Sequence, residues 1–123
     1  MEKPRVQQYD FIAYQNNHIT IQFKTKEGNN KNETIVKAVI SNQSSVDIED
    51  FEMLIVVPKY MQIQMKPLSC NVLPAVSGVS TQLFRLRNNM MEEKDTVVKM
   101  RILYRIGEEE VDESVMVDKF HNE

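Results

Sequence analysis

The apolar positions of this chain recur every second residue far more often than every third or fourth. Ile19, Ile21 and Phe23 alternate with Thr20, Gln22 and Lys24, the mark of a strand with one buried and one wet face. Residues 34–41 carry Val36, Ala38 and Ile40 on one side and Ile35 and Val39 on the other. Met61, Ile63 and Met65 against Gln62, Gln64 and Lys66 repeat the alternation. The apolar run that precedes them, 48–57, stops at Pro58, which has no N–H for a ladder and so separates two strands. The same reasoning predicts a short first strand at 11–14, another at 81–87, and a long one at 97–106 with Val98, Met100, Ile102, Tyr104 and Ile106 on one side. A last strand follows at 111–117.

Polar or turn-forming stretches separate these runs: Gln15-Asn16-Asn17, residues 27–32, Asn42-Gln43-Ser44-Ser45, residues 69–78, residues 88–95 with room for one helical turn, and Gly107. No segment keeps a 3.6-residue period. About eight strands at this spacing predict an all-β chain, an antiparallel sandwich or barrel. Ile21, Phe23, Val36, Ala38, Phe51, Met53, Met100, Ile102 and Tyr104 are expected to fill its core. The chain has no Cys–Trp–Cys signature, which excludes an antibody-type domain but not the wider immunoglobulin-like architecture.

A length of 123 residues fits a single domain spanning 1–123, with a core at about 9–120. The net charge of −3 is unevenly spread. Residues 1–106 hold 14 basic and 11 acidic side chains, a balance of +3, whereas 107–123 hold one basic and seven acidic, a balance of −6. An acidic final strand discourages edge-to-edge pairing. One cysteine, Cys70, forms no internal disulfide, which argues against a secreted scaffold. With no signal peptide, the sequons at Asn32 and Asn42 read as chance matches. No apolar stretch approaches the roughly 20 residues of a membrane span. A soluble, intracellular domain is expected.

Signals for catalysis are sparse. His18 sits at a turn and His121 is the third residue from the end, neither beside an evident catalytic partner. Cys70 lacks the orienting arrangement of a cysteine hydrolase. Glu108-Glu109-Glu110, Asp112 and Glu113 are not spaced as a calcium loop, and neither a zinc pattern nor a phosphate loop is present. No cofactor, metal or nucleic acid is expected; the last would call for a larger basic surface with stacking aromatics. One feature rises above this background. Lys99, Arg101 and Arg105 share the polar face of the long strand, either as ordinary solvent-facing charge or as a row able to meet an acidic ligand.

Family blocks run in order along nearly the whole chain. Ile48-Glu49-Asp50-Phe51-Glu52-Met53 leading to Val57-Pro58-Lys59, then Met61-Gln62-Ile63-Gln64-Met65, Leu73-Pro74-Ala75, Thr81-Gln82-Leu83, Lys99-Met100-Arg101 and Val117-Asp118-Lys119-Phe120 together resemble the γ-adaptin ear family. That family comprises the large γ subunit of a clathrin adaptor complex and the Golgi-localised, γ-ear-containing monomeric adaptors. Tyr60-Met61, Pro67-Leu68-Ser69 and the block ending at Phe120 resemble the monomeric group slightly more.

The resemblance implies an eight-stranded immunoglobulin-like sandwich, the C-terminal part of a longer cytoplasmic adaptor, monomeric as a domain and peripheral at trans-Golgi and endosomal coats. It implies no enzyme activity and no membrane insertion. Its ligands would be short disordered segments in which Phe or Trp, flanked by acids, precedes glycine. The groove's apolar walls would fall on Val56 and Met65, with Pro67 and Leu68 nearby, and its cations on Lys59, Lys99 and Arg101. This chain departs from the family pattern at three places. Lys99 replaces an arginine and loses the planar fork, Val56 is larger than the usual small residue, and Met116 stands where some relatives have glutamate. A purely structural sandwich with no specific peptide site is the competing reading, with a Cys70 hydrolase a distant third.

Overall fold

The computed structural model describes residues 8–30, 32–90 and 92–120. Eight strands follow one another: β1 Gln8–Gln15, β2 Ile19–Glu27, β3 Glu33–Asn42, β4 Ile48–Val56, β5 Met61–Met65, β6 Val79–Asn88, β7 Val98–Ile106 and β8 Glu109–Val117. They form a five-stranded sheet, β1-β2-β3-β6-β5, and a three-stranded sheet, β4-β7-β8, with every pairing antiparallel. No helix occurs among the described residues. The helical turn expected at 88–95 amounts to a single loop in which Lys94 N–H donates to Met90 O at 2.7 Å. The first strand is longer than 11–14 because β2 pairs with it all the way from Thr20 to Lys26.

The alternation does what the sequence requires of it. All nine expected core residues are buried, Ile21, Phe23, Val36, Ala38, Met100 and Ile102 completely. Burial of each large side chain contributes about 1.5–3 kcal/mol. Phe23 packs edge-on against Phe84 at 5.4 Å and Phe11 at 5.7 Å, and Phe120 meets Phe11 at 5.6 Å. The chain's Phe120 is thus a plug that closes the β1 margin.

Tyr14 on β1 hydrogen-bonds Glu113 on β8, so β8 lies over the β1 margin and β4, at the opposite edge, lies over β5. Three strands cannot roof five. Inner-face residues at both margins, Phe11 and Ala13 on β1 and Ile63 and Met65 on β5, are therefore only half-buried.

Two buried asparagines end neighbouring strands and organise the loops beyond them. Asn42 Nδ2 donates to Val46 O and Leu73 O while its Oδ1 accepts from Ser44 N–H. Asn88 Nδ2 donates to Lys94 O and its Oδ1 accepts from Met90 N–H. Since Asn42 is 1% exposed and fully engaged, that sequon is closed to modification. Gly107, at φ +61°, starts the two-residue β7–β8 turn, where glycine at the first position suits the twist of a hairpin.

Candidate functional site

β4 is where the local sequence makes a surface. Between Glu49 and Glu52 it gains one residue relative to β7, a β-bulge centred on Asp50 at φ +54°. Aspartate tolerates that left-handed conformation better than most residues, and the extra residue lets Ile48 and Phe51 both point inward. Beyond the bulge strict alternation resumes: Met53 and Ile55 are buried, and Leu54 and Val56 face out at 41% and 63% exposure.

The register lays the outward residues in rows across the three-stranded sheet. Val56 stands beside Lys99, which stands beside Met116; the next row is Leu54, Arg101, Ser114; then come Glu52, Leu103 and Asp112. Val56, Leu54 and Met116 leave an exposed apolar patch around the Lys99 and Arg101 stems.

The three cations of β7 differ in what surrounds them. Arg101 is engaged by Asp112 on β8 through two parallel bonds, Nε–Oδ1 at 2.9 Å and Nη2–Oδ2 at 2.6 Å. This pairing lowers the Asp112 carboxyl below its ordinary range and raises the guanidinium further. Arg105 is held by Glu49 at 2.7 Å and by Asp50 at 2.8 Å, so it locks the bulge. Among the described residues only Lys99 of the three has no ion-pair partner. The reason is register: β4 and β8 place carboxylates beside Arg101 and Arg105, whereas Lys99 has Val56 and Met116.

Lys59 lies exposed on the turn joining β4 to β5. That turn is anchored: Met61 N–H donates to Pro58 O, Asn89 N–H to Tyr60 O, and Tyr60 Oη to Asp95 O at 2.8 Å. Met65 ends β5 of the other sheet, and Pro67 and Leu68 lie in the connection that follows it. Met65 and Leu68 are half-buried and pack on the core, while Pro67 is exposed. Val56, Lys99 and Arg101 therefore share one face, and Met65 sits on the edge strand at the same margin. Leu54 is the residue missed in the sequence. Its signal lies inside the run 48–57, where inward and outward positions are both apolar and the alternation is invisible.

The other candidates are accounted for locally. His18 is half-buried rather than a plain surface residue, its Nδ1 2.9 Å from Tyr104 Oη. Burial raises the Tyr104 phenol above its usual value. Cys70 is an exposed free thiol whose Sγ–H donates to Val72 O at 3.0 Å. No cluster of potential metal ligands is found among the described residues. His121 lies outside them.

Comparison with known proteins adds the family. Residues 10–121 match the adaptin C-terminal domain. Relatives include the AP-1 complex subunit gamma-1 of Arabidopsis thaliana, 34% identical over 111 residues, and its gamma-2 counterpart, 30% identical over 110 residues. Each alignment covers 89% of this chain but only 13% of the relative, so the chain spans about an eighth of their length. Among solved structures, the yeast GGA1 GAE domain superposes with a TM-score of 0.83 at 21% identity, covering 89% of this chain and 97% of that one. The GAE domain of GGA2p from Saccharomyces cerevisiae gives 0.78 at 22% identity, covering 89% and 96%. With eight strands in two antiparallel sheets and a family match over nearly its whole length, the chain belongs to the adaptin C-terminal, or ear, domain family.

Proposed function

We propose that this domain is a non-enzymatic appendage of a clathrin adaptor, capturing accessory proteins through short acidic-aromatic peptides of the Phe/Trp-Gly type. In this reading it is the C-terminal domain of a longer cytoplasmic protein, monomeric in itself, at trans-Golgi and endosomal coats. The observation that carries it is the row Val56–Lys99–Met116, an unpaired cation between two exposed apolar side chains, with Lys59 close by on the anchored turn. Solvent-facing strand positions of this kind normally hold polar residues. An aromatic side chain would lie on Val56 and the lysine stems, whose methylenes line apolar surface well, with Met65, Pro67 and Leu68 bordering it at the β5 margin. Ligand acids would meet Lys59 and Lys99, and Arg101 where it is released from Asp112.

Energetics fit a transient contact. Burying one aromatic contributes about 2–3 kcal/mol, exposed ion pairs at most about 1 kcal/mol each, and ordering the peptide offsets part of both. Binding of micromolar class follows, about −8 kcal/mol at most, with multivalency on a coat raising the effective strength.

Titration of an acidic Phe-Gly peptide, followed by amide NMR shifts, is the test. Val56→Asp and Lys99→Glu should each weaken binding about tenfold or more with unchanged melting, since both side chains are exposed. Binding equal to the parent in both variants, or shifts confined to other surfaces, would return the domain to a purely structural sandwich.

A further inference from the structure

The outer face of the five-stranded sheet is a second, separate charged surface. Its outward positions are Lys24 and Lys26 on β2, Lys37 on β3, and Arg85 and Arg87 on β6, with Lys66 directly after β5; all six are exposed. The register brings Lys24 directly opposite Lys37 and places Arg85 between Ile35 and Gln64. Like charges facing each other across strands destabilise a sheet. A chain with a net charge of −3 thus concentrates cations on one face at a cost to its own stability.

Nor are these cations neutralised at home. Among the described residues none of the six forms an ion pair or a side-chain hydrogen bond, and all three ion pairs lie on the other sheet. Two carboxylates border the face. Asp10 is opposite Lys24 and Glu33 opposite Arg87, but Glu33 Oε1 leans over Gly28, whose added Cβ it would meet at 2.9 Å.

The shape of the array selects the partner. Four strands at about 4.8 Å spacing spread the charges roughly 15 Å across, and the two-residue steps along β2 and β6 add a second dimension. An extended peptide follows one line and meets two or three of these cations. A sheet of headgroups meets all six. Two open depressions flank Arg85, of about 580 Å³ beside Glu33, Gln62, Gln64 and Arg87 and about 530 Å³, with no carboxylate in its lining, beside Ile35, Lys66 and Leu83. Both are wide enough for a phosphate-bearing headgroup.

We propose that this face docks the domain on an anionic lipid bilayer. Clusters of four to eight cations are of the size that anionic membranes attract. Docking in this way leaves the opposite face, with Val56 and Lys99, turned away from the bilayer.

Co-sedimentation of the 123-residue chain with phosphatidylcholine vesicles containing one-third phosphatidylserine tests the inference. The parent should pellet with them, fail to pellet with pure phosphatidylcholine, and lose binding as salt rises. Lys37→Glu combined with Arg85→Glu should weaken pelleting at least about tenfold. The milder pair Lys24→Gln and Arg87→Gln should weaken it severalfold without lowering the melting temperature. Lys99→Glu on the other sheet should leave it unchanged, which separates this result from any failure of the peptide reading. Absence of pelleting by the parent, or pelleting of both double variants like the parent, would overturn the proposal. So would amide shifts at Lys37 and Arg85 on adding soluble polyglutamate without any vesicle binding, which would assign the face to an acidic protein.

Discussion

On the three-stranded sheet Arg101 and Arg105 close on carboxylates of the neighbouring strands, whereas on the five-stranded sheet Arg85 and Arg87 extend with no such partner among the described residues. Arg101 and Arg105 sit four residues apart and Arg85 and Arg87 two, each pair on a strand interior to its sheet. The difference is what stands beside them: Glu49, Asp50 and Asp112 in one case, and Ile35, Gln62, Gln64 and a single carboxylate, Glu33, that forms no ion pair with Arg87 in the other. Cross-strand neighbours, not the arginines themselves, decide whether a charge serves the fold or remains available for a partner. Among the described residues the three-stranded face is largely self-satisfied apart from its Val56–Lys99–Met116 end, and the cations of the five-stranded face form no ion pair.

The most severe test of this contrast is the bulge that Arg105 locks. Asp50→Val puts a β-branched side chain at φ +54° and removes a carboxylate, and should cost about 2–3 kcal/mol in urea unfolding. Asp50→Gly, which keeps the backbone and loses only the carboxylate, should cost less than about 1 kcal/mol. Equal losses would mean that the ion pair, not the backbone, shapes this face.

Smaller effects should differ in sign between the two sheets. Arg105→Gln should lower the melting temperature because Glu49 and Asp50 lose their common partner. Lys37→Glu should raise stability by about 0.2–1 kcal/mol, since repulsion with Lys24 becomes attraction. A loss of stability in Lys37→Glu would break the comparison.

The smallest effect concerns the stitch between the sheets. Burial first, then the hydrogen bond to Glu113, raise the Tyr14 phenol from 10.0 to about 12. The fold thus favours the protonated phenol. Its contribution is complete below pH 10 and is lost as pH rises toward 12. Tyr14→Phe should flatten the alkaline fall in stability over that window, leaving the part due to Tyr104, whose phenol is also raised. An unchanged slope would show that the stitch carries no weight.

Much of the fold is legible in the sequence because a half-buried strand must alternate, and Ile19–Ile21–Phe23 or Met100–Ile102–Tyr104 has no other way to shield its apolar set. The division into five and three strands is not legible, since it depends on which edges pair, and β6 pairing with both β3 and β5 leaves no trace in either run. At the candidate site, Val56, Lys59 and Lys99 stand where the sequence reading expects exposed groups. Arg101 is exposed as well, but its pairing is hidden, because Asp112 is 11 residues away on the next strand and only the hairpin register brings the two within diagonal reach. The Lys24–Lys37 opposition is hidden for the same reason: each lysine alone is an ordinary wet-face residue.

The fork between Arg101 and Asp112 has a consequence for any acid that approaches it. The carboxylate is tethered to the guanidinium through one short hairpin, so it acts as an intramolecular competitor at an effective concentration of roughly millimolar or above. A visiting carboxylate that takes Arg101 exchanges one bidentate partner for another and gains little net free energy. Selectivity at that position then rests on how much more than a single carboxylate the visitor brings, and the resident aspartate sets the threshold it must exceed.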